Sequence, residues 1–184
     1  MTKHLIGKAQ LLFVEGKIEE SIEAFRKALE AGADPFMVHL SIGAGYLKLK
    51  VIDKAVESFS KAIELKGDHP RPYFYRGTAL MEKKEYENAV SDFSKALELK
   101  PDLHTAKFAR ATAYARLQRF DQAALDLRAV LPLMEANVQG FVDSFGIIST
   151  EMWRIMEHMS GDSQQYGLKL SDKEIHTLKK WLGD

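Results

Sequence analysis

A chain of 184 residues that is 46% apolar and 28% charged is too hydrophobic to remain disordered. Its lysine and arginine, 26 in all, balance 26 aspartate and glutamate, so no net field draws the whole protein to nucleic acid or anionic lipid. It has no cysteine, which excludes disulfides, thiolate metal sites and a cysteine nucleophile.

At the N-terminus the apolar clusters Leu5-Ile6 and Leu11-Leu12-Phe13-Val14 are interrupted by Lys8 and Gln10. That pattern argues against a secretory core or a membrane span and for a cytoplasmic protein. From there the sequence repeats itself. Phe59-Ser60-Lys61-Ala62-Ile63-Glu64-Leu65-Lys66 returns almost unchanged as Phe93-Ser94-Lys95-Ala96-Leu97-Glu98-Leu99-Lys100, and Phe25, Phe59, Phe93 and Leu127 are spaced 34 residues apart. A fixed period of that size marks stacked structural units, each too small to bury a hydrophobic face alone.

Within each unit two apolar segments at helical period flank a short polar turn, at Glu15-Gly16-Lys17, Lys50-Val51, Lys83-Lys84-Glu85 and Gln118-Arg119. This predicts a helical hairpin. In its second helix Ser21, Ala55, Ala89 and Ala123 precede the large Phe25, Phe59, Phe93 and Leu127 by four positions, which puts small and large residues on one face. Ala9, Gly43, Gly77 and Ala111 form a further small column in the middle of the first helices. Glycine costs roughly 1 kcal/mol relative to alanine inside a helix, so Gly43 and Gly77 are expected to serve close packing. Asp34-Pro35 predicts an N-cap followed by proline at the first helical position, and His69-Pro70 and Pro101-Asp102 punctuate the next boundaries.

On these residues the chain resembles the tetratricopeptide repeat (TPR) family. Its signature combines the small columns with large residues at the turn, here Ile18, Ile52, Tyr86 and Phe120, and at mid-helix, here Leu12, Tyr46, Leu80 and Tyr114. The resemblance covers residues 2–135 as four units, about 2–35, 36–69, 70–103 and 104–135. It departs from the family where Leu5, His39, Tyr73 and Lys107 replace a tryptophan and where Lys8, Arg76 and Arg110 replace a leucine. The implied fold is an all-α solenoid of four helix-turn-helix repeats. A long capping or association helix at 133–160 and a linker with a short final helix at 163–184 complete the expected architecture.

The last two elements are read from spacing alone. Pro132 should begin a new helix or kink the old one. Beyond it Met134, Val138, Phe141, Phe145, Ile148, Met152, Ile155 and Met159 alternate steps of four and three, a coiled-coil-like seam. Phe141, Phe145, Ile148, Met152 and Ile155 are the candidate self-association residues, giving an expected homo-oligomer. Ser171 with Glu174 forms a capping-box signature that opens the short helix carrying Ile175, Leu178, Trp181 and Leu182.

No motif carries chemistry. The six histidines have no metal-ligand spacing, and the Gly43-Ala44-Gly45 run lies within a helix with no strand before it. The carboxylates fall on what read as solvated helix faces. The expectation is therefore a non-enzyme with no catalytic residues, no metal and no cofactor, and with no nucleic acid as partner.

In proteins that resemble this one, the first helices line a concave groove for a peptide or a helix. Carried over by register, the groove comprises Lys3, Ile6, Gln10 and Phe13; then Met37, Leu40, Ser41, Ala44, Leu47 and Lys48; then Arg71, Phe74, Tyr75, Thr78 and Met81; and Thr105, Phe108, Thr112 and Arg116. Leu40 and Phe108 also suit packing against neighbouring helices. The family's lysine and asparagine clamp for a terminal carboxylate is replaced here by Ile6, Gln10, Ser41 and Tyr75. What remains is an apolar groove with a basic fringe, expected to bind an apolar or amphipathic protein segment as an adaptor or scaffold. The alternatives are a chaperone that shields a hydrophobic export substrate and, below it, an enzyme or nucleic-acid binder of an unrecognised type.

Overall fold

The computed structural model describes residues 2–134, and every regular element among them is helical. In chain order these are α1 (Thr2–Val14), α2 (Ile18–Glu30), α3 (Pro35–Lys48), α4 (Ile52–Leu65), α5 (Pro70–Glu82), α6 (Tyr86–Leu99), α7 (His104–Arg116) and α8 (Phe120–Met134). They fall into two compact units, which divide after Leu99. The first holds three hairpins, α1 with α2, α3 with α4 and α5 with α6, and α2 packs on α3 as α4 packs on α5. The fourth hairpin, α7 with α8, belongs to the second unit. The expected seam and final helix after Met134, with Phe141, Phe145, Ile148, Met152 and Ile155, lie outside the described residues. Helix α8 itself runs through Pro132 to Met134, so the proline does not begin a new helix.

All four hairpins turn in the same way. The residue at the turn takes the left-handed conformation, with φ of 79° at Gly16, 59° at Lys50, 62° at Lys84 and 59° at Gln118. The next amide then reaches back to the helix: Lys17 N–H donates to the Leu12 carbonyl, Val51 to Tyr46, Glu85 to Leu80 and Arg119 to Tyr114, each at 2.9–3.0 Å. Paired with a bond from the preceding amide to the carbonyl three residues before it, at 3.0–3.1 Å, this is a Schellman closure that satisfies carbonyls the helix end would leave bare. Asp34 caps α3 by accepting from the Phe36 amide at 3.1 Å, with Pro35 behind it as the spacing predicts.

The periodic columns form the core. Ala55, Phe59, Ala62, Ala89, Phe93, Ala96, Ala123, Leu127 and Val130 are all fully buried. Gly43 and Gly77 are the points of closest approach, because a Cβ on Gly43 would lie 2.5 Å from the Phe59 ring and one on Gly77 2.7 Å from the Phe93 ring. Ser21 keeps the small column intact despite its hydroxyl, which donates to the Ala9 carbonyl at 2.7 Å. Among the described residues no helix is long and apolar enough to cross a membrane.

Candidate functional site

The first helices of the first unit, α1, α3 and α5, carry fifteen of the groove positions, and α3 touches α5 directly. On α1, Lys3 and Gln10 are exposed, whereas Ile6 and Phe13 are half-buried and rest on the core of the first hairpin. On α3, Met37 is 47% exposed, Lys48 is exposed, and Ser41, Ala44 and Leu47 are half-buried. On α5, Arg71 is exposed while Phe74, Tyr75, Thr78 and Met81 are half-buried. Lys48 links two of these helices by holding its ammonium 5.2 Å from the centre of the Phe13 ring.

Leu40 departs from the expected surface. At 7% exposure it joins Phe36, Ala55, Phe59, Ala62 and Ala79 in the core, because its helix turns that position toward α4. Tyr75 and Phe74 are shared between surface and core: the Tyr75 ring stacks on Phe59 at 5.6 Å, and the Phe74 ring lies 6.0 Å from Phe93. On α7, in the second unit, Phe108 is 2% exposed and so presents no free surface, while Thr105, Thr112 and Arg116 are half-buried. Thr112 and Thr78 turn their hydroxyls back to the carbonyls of Phe108 and Phe74.

The electrostatics of the face in the first unit are one-sided. Lys3, Lys48 and Arg71 project from it, and none of them makes a salt bridge among the described residues. Its acid, Glu82, is already paired with Lys50 at 2.9 Å. At the start of α5, the unprotonated His69 Nδ1 accepts from the Arg71 amide at 3.3 Å, and its ring packs against Phe36 at 5.0 Å. Burial, with Arg71 and Lys66 nearby, holds this imidazole below the ordinary histidine range.

One feature contradicts the reading of all carboxylates as solvated. Asp92 and Asp126 are buried, and each takes a two-pronged contact from an arginine of the facing first helix: Arg76 Nε and Nη2 to Asp92 at 2.7 Å each, Arg110 Nε and Nη2 to Asp126 at 2.6 and 2.7 Å. Arg76 also donates through Nη1 to Ser60 Oγ at 3.1 Å. The carboxylate raises the pKa of each guanidinium. The signal was present in the sequence: Ser60, Arg76 and Asp92 are spaced by 16, as are Ser94, Arg110 and Asp126. The two arginines therefore occupy the leucine position because an acid opposite compensates their charge. Among the described residues no group of three histidine, aspartate or glutamate side chains could hold a metal ion.

Family models described as tetratricopeptide repeat match residues 6–70 and 70–103. The chain belongs to the tetratricopeptide repeat family. Three solved TPR structures are similar to it. MamA from Desulfovibrio magneticus RS-1 is 20% identical over 74% of this chain and 77% of that one, with a TM-score of 0.68. The first TPR of Spaghetti (RPAP3), solved with the HSP90 peptide SRMEEVD, is 25% identical over 64% of this chain and 93% of its own, with a TM-score of 0.60. The TPR domain of Arabidopsis OM64 is 28% identical over 67% and 95%, with a TM-score of 0.58. No curated protein matches the chain by sequence. The TPR fold is that of a protein–protein interaction scaffold.

Proposed function

We infer that this TPR protein is an adaptor or scaffold whose first unit binds an apolar or amphipathic protein segment along α1, α3 and α5. The observation that carries the reading is the pairing of an accessible apolar strip, led by Met37, with three cations that no carboxylate among the described residues neutralises. A helix or extended segment with an apolar stripe would bury against Ile6, Phe13, Met37, Leu47 and Met81. Acidic residues flanking that stripe would meet Lys3, Lys48 and Arg71, which speeds encounter and fixes orientation more than it deepens affinity. Methionine adapts its shape to varied apolar partners, so the strip suits a class of segments.

The test is fluorescence anisotropy with a labelled amphipathic peptide whose apolar stripe is flanked by glutamates, compared with the same stripe flanked by lysines. The acidic version should bind more tightly, and Met37→Glu should weaken it by roughly tenfold, the loss of one anchoring contact. Arg71→Glu should reduce the salt dependence. Equal binding of both peptides to wild type and variants would refute the reading.

A further inference from the structure

The hairpins of the first unit share one register, so residues 34 apart occupy the same place in neighbouring hairpins. In α3 that register holds Tyr46. Its hydroxyl accepts from Arg26 Nη2 at 2.6 Å, and Lys54 Nζ lies 5.5 Å from the ring centre, so the phenol fills the space between α2 and α4. In α5 the corresponding residue is Leu80, and the counterparts of Arg26 and Lys54 are Ser60 and Asn88. Each is shorter. Where the phenol would sit, a cavity of about 260 Å³ opens between α4 and α6, lined by Val56, Ser60, Arg76, Leu80, Asn88 and Asp92. No groove residue contributes to it.

We propose that this cavity is a binding site for a neutral phenol ring, the group that Tyr46 supplies internally one repeat earlier. An enclosed cavity of roughly 150 Å³ already admits benzene; this one is open to solvent on one side, and its larger volume gives a hydroxylated ring room. Val56 and Leu80 provide apolar wall for the ring. Ser60 Oγ accepts from Arg76 and keeps its own proton to donate to a phenol oxygen, while the Asp92 carboxylate offers an acceptor for the phenol proton. Because Arg76 and Asp92 neutralise each other, the wall favours an uncharged guest over a carboxylate or an ammonium. The ring can be free or carried by a tyrosine side chain of a partner, since both present the same chemistry.

The experiment is a titration of the full chain, with its methyl groups labelled for NMR, by p-cresol, toluene and N-acetyl-tyrosinamide. p-Cresol should shift the Val56 and Leu80 methyl signals saturably, and toluene should bind roughly fivefold more weakly for want of the hydroxyl. Binding of N-acetyl-tyrosinamide as tight as p-cresol supports a tyrosine side chain as the source, and much weaker binding supports a free phenol. Leu80→Tyr should fill the space, raise Tm and abolish the p-cresol shifts. Ser91→Trp, at an exposed position on the cavity rim, should block entry with helicity retained, and so tests the site even if Leu80→Tyr fails to fold. Absence of saturable shifts, equal affinity for toluene, or undiminished p-cresol binding in Ser91→Trp would overturn the proposal.

Discussion

Removing the Asp92 carboxylate should be among the most damaging single changes in the first unit. The Asp92 side chain is 8% exposed and that of Arg76 26%, and the two share two bonds of 2.7 Å. In Asp92→Ala the guanidinium would keep, among the described residues, its bond to Ser60 and the Tyr73 ring 6.0 Å away, and neither carries a compensating charge. Breaking a fully buried pair costs ~3–5 kcal/mol, and the quarter of Arg76 that water reaches lowers this to about 2–3 kcal/mol. The neighbouring hairpin shows an uncharged solution at the same register: Ile42 stands for the arginine, and Ser58 for the aspartate, its hydroxyl satisfied by the Lys54 carbonyl at 2.7 Å. The double replacement Arg76→Ile with Asp92→Ser should therefore lie within about 1 kcal/mol of wild type, because no charge is left stranded. Urea unfolding followed by far-UV circular dichroism on Arg76→Ile, Asp92→Ser and the double variant closes the cycle, with Asp92→Ala measured beside them. If Asp92→Ala costs under about 0.5 kcal/mol, or the double variant loses the sum of the singles, the pair is not coupled as the geometry requires.

Ala62→Glu and Ala96→Glu should each cost several kcal/mol, on the order of 3–5, since both sites are completely buried beneath neighbouring helices; unchanged melting temperatures would contradict the packing. Lys84→Gly should raise stability by about 1 kcal/mol by relieving a left-handed residue of its Cβ, and an unchanged urea midpoint would show that the turn is not strained. His69 is held below its ordinary range chiefly by burial and then by Arg71, so the unfolded chain binds its proton more readily than the folded one. The stabilisation is complete above the unfolded value of about 6.5 and is lost as pH falls from there through the lower folded value. His69→Asn, which keeps a cap acceptor without titrating, should flatten this part of the stability profile, and an identical profile would remove His69 as its source.

The period, the hairpin and the turns were legible in the sequence because a repeat protein stabilises each unit through near neighbours, so the same few packing constraints return every 34 residues. Phe59 and Phe93 need Gly43 and Gly77 opposite them, and each small–large pair is visible as a column before any coordinate is known. Surface assignment was less legible. Register alone puts Leu40 and Met37 on one face, yet Leu40 packs into the core beside Phe36 and Phe59 while Met37 stays 47% exposed. The buried pairs were hidden for a different reason: an aspartate on an amphipathic helix looks solvated unless the arginine 16 residues away is known to face it. The cavity beside Leu80 depends on three helices at once. Its volume follows from the absence of a phenol on α5 and from the short side chains of Ser60 on α4 and Asn88 on α6, a coincidence that only their assembly in space decides.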